Sequence, residues 1–163
     1  MFPSKILSLL LGFVVLGSPL LAMPKPAAHT QGTPTGKPTG PLKPGEYWWK
    51  PDLSPAGPVV ALVSIPQQVI HVYRNGILGR AAVEISGRGR LGSHVFTLLD
   101  GAREKSSAWV PGRPARKWMR VSTDKGPRID ADDLGRRVTV NPVFAAKLYD
   151  TIQPGTTVIV TDD

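Results

Sequence analysis

The chain has 163 residues, a formal charge of +8 and no cysteine. Disulfide staples and thiol chemistry are thereby excluded, so packing alone must hold any folded domain. The excess of positive charge attracts polyanions through a long-range field and carries no information about fold.

The chain opens on Lys5, the apolar run Ile6–Leu16 and then Gly17, Ser18 and Pro19, the layout of a secretory signal. Residues 1–22 are therefore predicted to be a signal peptide, with cleavage near Ala22. The run is shorter than the roughly 20 apolar residues of a membrane-spanning helix, so no stable membrane span is expected after cleavage. Export places the mature protein in the envelope or beyond it, where a basic chain meets anionic envelope polymers, phospholipid head groups or wall carboxylates rather than nucleic acid.

Residues 23–45 are almost wholly Pro, Gly, Thr, Ala and Lys, with the local echo Pro34-Thr35-Gly36-Lys37-Pro38-Thr39-Gly40. Lacking apolar side chains to offset the entropy of ordering, they are predicted to be a disordered linker. Residues 46–163 then form one small domain with one core. Tyr47-Trp48-Trp49, followed by Pro51, Ser54, Pro55 and Pro58, is too aromatic for a free tether and is expected to pack across that domain as a strap.

Val59–Ser64, an apolar run between Pro58 and Pro66, reads as a buried strand. Val69–Tyr73 and Ile77–Ile85 flank Asn75-Gly76, the preferred pair for a type I′ turn, and so predict a hairpin. Alternation along its second strand places Ile77, Ala81, Val83 and Ile85 on one face and Arg80 and Glu84 on the other. Val95–Leu99 follows as a strand, Asp100–Pro114 as a basic stretch without pattern, and Arg116–Ser122 as a weaker strand. Arg137–Val140 reads as strand, Asn141 as N-cap and Pro142 as the first helical residue, where its missing N–H costs nothing. Phe144, Leu148 and Ile152 share one face of that helix. Pro154-Gly155 ends it, and Thr156–Thr161 closes the domain as a strand. The expected class is mainly β with one short C-terminal helix.

This order of elements resembles the catalytic domain of the L,D-transpeptidase (YkuD-like) family, exported bacterial enzymes that act on peptidoglycan stem peptides. The residues that carry the resemblance are Gly45-Glu46-Tyr47, Ser54-Pro55-Ala56-Gly57-Pro58 and the phrase running from Ile65-Pro66-Gln67-Gln68 through His71-Val72-Tyr73-Arg74-Asn75-Gly76. Val95-Phe96-Thr97, Asn141-Pro142-Val143-Phe144-Ala145 and Gly155-Thr156-Thr157-Val158-Ile159-Val160 complete it. The resemblance implies a β-sandwich. It also implies a Ser-His-Gly-Cys-x-Arg segment before the last helix, with the Cys as nucleophile and the His as base. Here the corresponding stretch is Asp132-Asp133-Leu134-Gly135-Arg136-Arg137-Val138; only the Gly is kept, and Arg136 lies about where the Cys belongs. Nucleophile and base are both missing, which leaves no catalytic residue to assign.

Other chemistry is poorly provided for. Acyl transfer without a thiol needs a hydroxyl beside a base. Ser93 and His94 are neighbours, but successive residues of an extended chain point to opposite faces. Gly87-Arg88-Gly89-Arg90-Leu91-Gly92 fits G-x-G-x-x-G, yet a dinucleotide site needs a helix to start there and a strand is predicted instead. Asp130, Asp132 and Asp133 lack the Glu of a calcium loop, the spot being Asn141, and His29, His71 and His94 are too scattered for zinc. The aspartates are expected to be solvated loop carboxylates that pair with Arg136 or Arg137. No cofactor or metal is implied.

The stretch Arg103–Arg120 mixes cations with two tryptophans, suited to carboxylate or phosphate pairing and to stacking on sugar faces. In the resembled family this region covers the substrate groove. Trp109, Arg113, Arg116, Lys117, Trp118 and, from the altered motif, Arg136 are the candidate ligand-binding residues. The competing reading makes the tryptophans core anchors beneath a solvated basic face. The function expected is a catalytically inactive domain that binds peptidoglycan or an envelope partner. The alternatives are an active enzyme with a non-cysteine site and a protein-binding adaptor.

Overall fold

The computed structural model of the protein describes residues 40–122 and 127–163. The predicted signal peptide and most of the predicted linker lie outside the described residues. The part of that linker within them, Gly40–Gly45, bonds to the domain: Arg80 Nη1 donates to the Gly40 carbonyl at 2.8 Å and Asn141 Nδ2 to the Gly45 carbonyl at 3.0 Å.

The mainly-β expectation is borne out. In chain order the elements are β1 (Tyr47–Trp49), a 3₁₀ turn (Pro51–Leu53), β2 (Val60–Ser64), β3 (Val69–Tyr73), β4 (Ile77–Ile85), β5 (His94–Ser106), β6 (Pro114–Ser122), α1 (Ala131–Arg137), β7 (Val138–Val140), α2 (Pro142–Thr151) and β8 (Thr157–Thr161). The strands join in one mixed sheet of order β1-β4-β3-β2-β8-β5-β6, with β7 pairing the far half of β4. All ladders are antiparallel except β2–β8, which is parallel. Helices number two among the described residues, where one was expected.

Sheet and α2 enclose the core. Ala61, Val63, Ile70, Val72, Phe96, Val158 and Val160 are buried on one face of the sheet, and Phe144 and Leu148 of α2 belong to the same cluster. Asn141 caps α2 as its sequence requires, its Oδ1 accepting from the backbone N–H groups of Val143 (2.9 Å) and Phe144 (3.4 Å). The aromatic lead-in is a strand and not only a strap. β1 pairs with β4, and the rings of Tyr47 and Trp49 meet Phe144 at centroid distances of 5.9 and 5.4 Å.

The β3–β4 hairpin departs from the expected turn. Tyr73 pairs with Ile77 but Val72 with Gly79, so the connection spans Arg74–Gly76 and Leu78 bulges out of register. A two-residue type I′ turn would leave Arg74 in the ladder. Instead Arg74 Nε donates to the Ser54 carbonyl (2.5 Å), Asn75 Nδ2 to the Ala56 carbonyl (3.0 Å), and the Ser54 hydroxyl to the Arg74 carbonyl. These bonds tie the turn to the segment before β2. The bulge breaks the predicted alternation, turning Leu78 into the core while Ile77 stays half-buried.

The ribbon β5–β6 is the largest correction. β5 runs thirteen residues, well past Leu99 into the stretch that carries no pattern. Between the Leu98↔Trp118 and Ala102↔Arg116 pairs it bulges, with Gly101 at φ 85°, a conformation that favours glycine. From Leu99 to Ser106 the strand is exposed on both sides, which is why no alternation marks it.

Candidate functional site

The tip of the ribbon, Ser107–Arg113, folds back over the two helices, and two aspartates hold it there. Asp132 on α1 accepts from Arg103 Nη1 (3.2 Å) and from Lys105 Nζ, both on β5. Asp150 on α2 receives both terminal nitrogens of Arg113, and this bond raises the guanidinium pKa further above its usual value. Beside it, the Tyr149 hydroxyl donates to the Pro114 carbonyl at 2.8 Å.

The three aspartates thus have separate duties, and the expectation of solvated loop carboxylates is corrected. Asp130 is the N-cap of α1: its carboxylate accepts from the Asp133 N–H at 2.8 Å, which holds its pKa below the usual carboxylate value. Asp132 latches the ribbon. Asp133 pairs with Arg136 one turn on, the one pairing of the expected kind. Among the described residues no three potential ligands cluster as a metal site would require.

Beneath the ribbon tip lie two hollows, and Trp109 lines both. The smaller, about 50 Å³, is floored by Phe96, Leu134, Leu148 and Val158 and rimmed by Trp109, Arg116, Trp118 and Tyr149. It has room for a few waters or a small polar group. The Arg116 guanidinium lies over the Tyr149 ring at 4.6 Å, and its Nε is buried without a hydrogen-bond partner. An orphaned buried donor costs about 1–3 kcal/mol, and this one has no accessible surface, so what Arg116 offers the hollow is its charge and not this N–H.

The larger hollow, about 240 Å³, lies between β2, β3, β4, β7, α2 and Trp109. Sealed and dry, a void that large would cost about 6 kcal/mol at the usual 24 cal/mol per Å³. It is not sealed, because exposed Pro111, Thr139 and Pro142 are among its lining residues. Gly135 borders it, at the position that the resemblance aligns with the family's motif glycine. A methyl group added to Gly135 would overlap Cδ1 and Nε1 of Trp109 and meet Ala108 Cβ at 3.0 Å. The space beside Gly135 is therefore partly filled by an indole and partly open.

Of the six candidate residues, the fold brings Trp109, Arg116 and Trp118 to the small hollow and sets Arg113 beside it through Tyr149, whose ring is 5.2 Å from that guanidinium. Lys117 is exposed, as alternation with Arg116 and Trp118 requires, and Arg136 is occupied by Asp133 on the exposed side of α1. Neither lines a hollow. Ser93 and His94 do not meet as nucleophile and base. The Ser93 hydroxyl accepts from the Asp162 N–H (3.2 Å), while His94 is buried with Nε2 2.8 Å from the Leu91 carbonyl and its ring edge-on to Phe96. The Gly-rich loop leads into β5, a strand, as the sequence predicts. Sequence reasoning missed Tyr149, Asp132 and Asp150 as members of the site. Nothing local marks them, since their partners lie 27 to 37 residues away.

Comparison with protein-family models, with curated proteins and with solved structures finds no match.

Proposed function

We propose that this domain is a non-catalytic relative of the L,D-transpeptidases that binds peptidoglycan or a similar anionic polymer of the cell envelope. The observation that carries the reading is Arg116. Its guanidinium is stacked on Tyr149 and lines the small hollow together with Trp109 and Trp118. A fixed cation suits a carboxylate or phosphate oxygen, and indoles in the same lining suit the sugar or alkyl body that carries it. The absence of any cysteine, and the separation of Ser93 from His94, support a binding role over acyl transfer.

The test is sedimentation of the purified full chain with isolated peptidoglycan. Retention is expected, weakening with salt as a screened ionic contact does. Arg116→Ala is expected to lower it about tenfold, the worth of one charge-assisted hydrogen bond. Absence of retention, or retention unchanged by both Arg116→Ala and Trp118→Ala, would overturn the reading. Crosslinking in cells that recovers one envelope protein in place of wall would move the function to an adaptor.

A further inference from the structure

β6 ends the sheet and is laddered on one side only, to β5. Which of its backbone groups face the free edge follows from β5. Leu98 N donates to the Thr156 carbonyl (2.8 Å) and the Leu98 carbonyl accepts from Gly155 N (2.9 Å), so both polar groups of Leu98 face β8. Leu98 and Trp118 are then a non-hydrogen-bonded pair, and the N–H and C=O of Trp118 point outward. Alternation gives Arg120, opposite Phe96, the same orientation. Among the described residues nothing bonds these outward groups.

The side chains sort by face. Trp118 and Arg120 share the core side of the ribbon with their partners Leu98 and Phe96, and Arg116 follows two residues back. Met119 and Val121 project from the other side beside Thr97 and Val95, 47% and 48% exposed. Residues 114–122 carry three cations and no acid. Elsewhere on the ribbon Arg103, Lys105 and Arg113 each meet an aspartate from a helix, whereas Arg116, Lys117 and Arg120 form no ion pair among the described residues.

An open edge is a template for a further strand. A second copy of β6 would set like charges against each other, which is unfavourable. Residues 1–39 of this chain hold Lys5, Lys25 and Lys37 and no Asp or Glu, so they offer no complement either. We propose that the β6 edge takes up an extended segment of a partner protein in which acidic and apolar residues alternate. Its carboxylates would meet Arg116 and Arg120 on one face, and its apolar side chains would cover Met119 and Val121 on the other. Backbone bonds to Trp118 and Arg120 supply the attachment, and the period-two pattern supplies the specificity. The proposal rests on the strand edge and stands without wall binding.

The probe is a fluorescein-labelled, end-capped peptide of alternating valine and glutamate, titrated into the purified full chain while anisotropy is followed. Saturable one-to-one binding is expected. Amide exchange of Trp118 and Arg120 should slow on binding, while that of Met119, whose N–H already faces β5, should not change. A peptide of the same composition with its valines and glutamates in separate blocks should bind about tenfold more weakly, and one with lysine for glutamate should show no binding. Arg120→Ala should weaken the alternating peptide about threefold. Arg120→Pro, which also removes an outward N–H that no ladder uses, should weaken it about tenfold. Should Arg120→Pro fail to fold by circular dichroism, the exchange of the Trp118 and Arg120 amides in the wild type decides. No saturation, equal binding of the block peptide, unprotected Trp118 and Arg120 amides, or dimerisation of the chain through β6 in sedimentation equilibrium would overturn the proposal.

Discussion

Trp109 sits on Gly135 with no space for a methyl group between them. The ribbon and α1 meet at this contact, so Gly135→Ala must displace either the indole or the helix. We expect a loss of about 1–3 kcal/mol, the usual cost of overpacking, read as a lower urea midpoint. Tryptophan emission should shift to the red as the indole moves outward. In a Trp109→Ala background the same Gly135→Ala change should cost much less, because the pair is coupled through one contact.

Asp132 is the inner anchor of the ribbon tip. Its side chain is 15% exposed, but Arg103 and Lys105 are 52% and 46% exposed, so solvent screens the pairs. Asp132→Ala should therefore lower global stability by about 1 kcal/mol or less. The larger effect should be local, with amide exchange from Ser106 to Arg113 several-fold faster as this low-stability segment opens. Asp150→Ala should accelerate the same amides from the α2 side.

Asp130 caps α1, and Asp130→Ala is expected to cost about 1 kcal/mol while Asp130→Asn, which can still cap, is nearly neutral at pH 7. The Asp133 N–H bonds the carboxylate and holds its pKa below the ordinary carboxylate value of 3.8. A depressed acid contributes stability that is complete above 3.8 and disappears as pH falls through the folded value. Acid titration of stability should thus be shallower below pH 3.8 in Asp130→Asn than in the wild type.

His71, half-buried in β3 opposite Arg80 of β4, has its pKa pushed below 6.5 by burial first and by the Arg80 charge second. The unfolded chain then binds the proton more readily than the folded one. Stability is complete above pH 6.5 and declines as pH falls from there towards the folded value. His71→Gln should flatten the urea midpoint across that interval and leave the acid limb from Asp130 in place.

Where a local rule and the tertiary structure agree, the sequence is readable. Asn141-Pro142 starts α2, and the β-branched runs of β3 and β8 fall where the sequence places them. Where a distant contact decides, it is not. Arg74 and Asn75 leave the hairpin ladder where Ser54 and Ala56, 20 and 19 residues upstream, offer them carbonyls. α1 lasts seven residues and buries only Leu134 and Gly135, too little for a helical period to emerge. β5 beyond Leu99 is wet on both faces, so period-two patterning has nothing to report. At the site, Trp109, Arg116 and Trp118 are close in sequence and could be grouped from it. The carboxylates and the tyrosine that position them come from α1 and α2 and could not.

The parallel pairing of β2 with β8 has a temporal consequence. β8 is the wedge between β2 and β5: Val60 aligns with Thr157 and Thr97 aligns with the same residue from the other side. Without β8 the chain would hold two half-sheets, β1-β4-β3-β2 and β5-β6, with unpaired edges at β2 and β5. Closure of nearly 100 residues into one ladder waits on a five-residue strand, a high-contact-order step that folds slowly. Until β8 is placed, those two edges have no ladder partner.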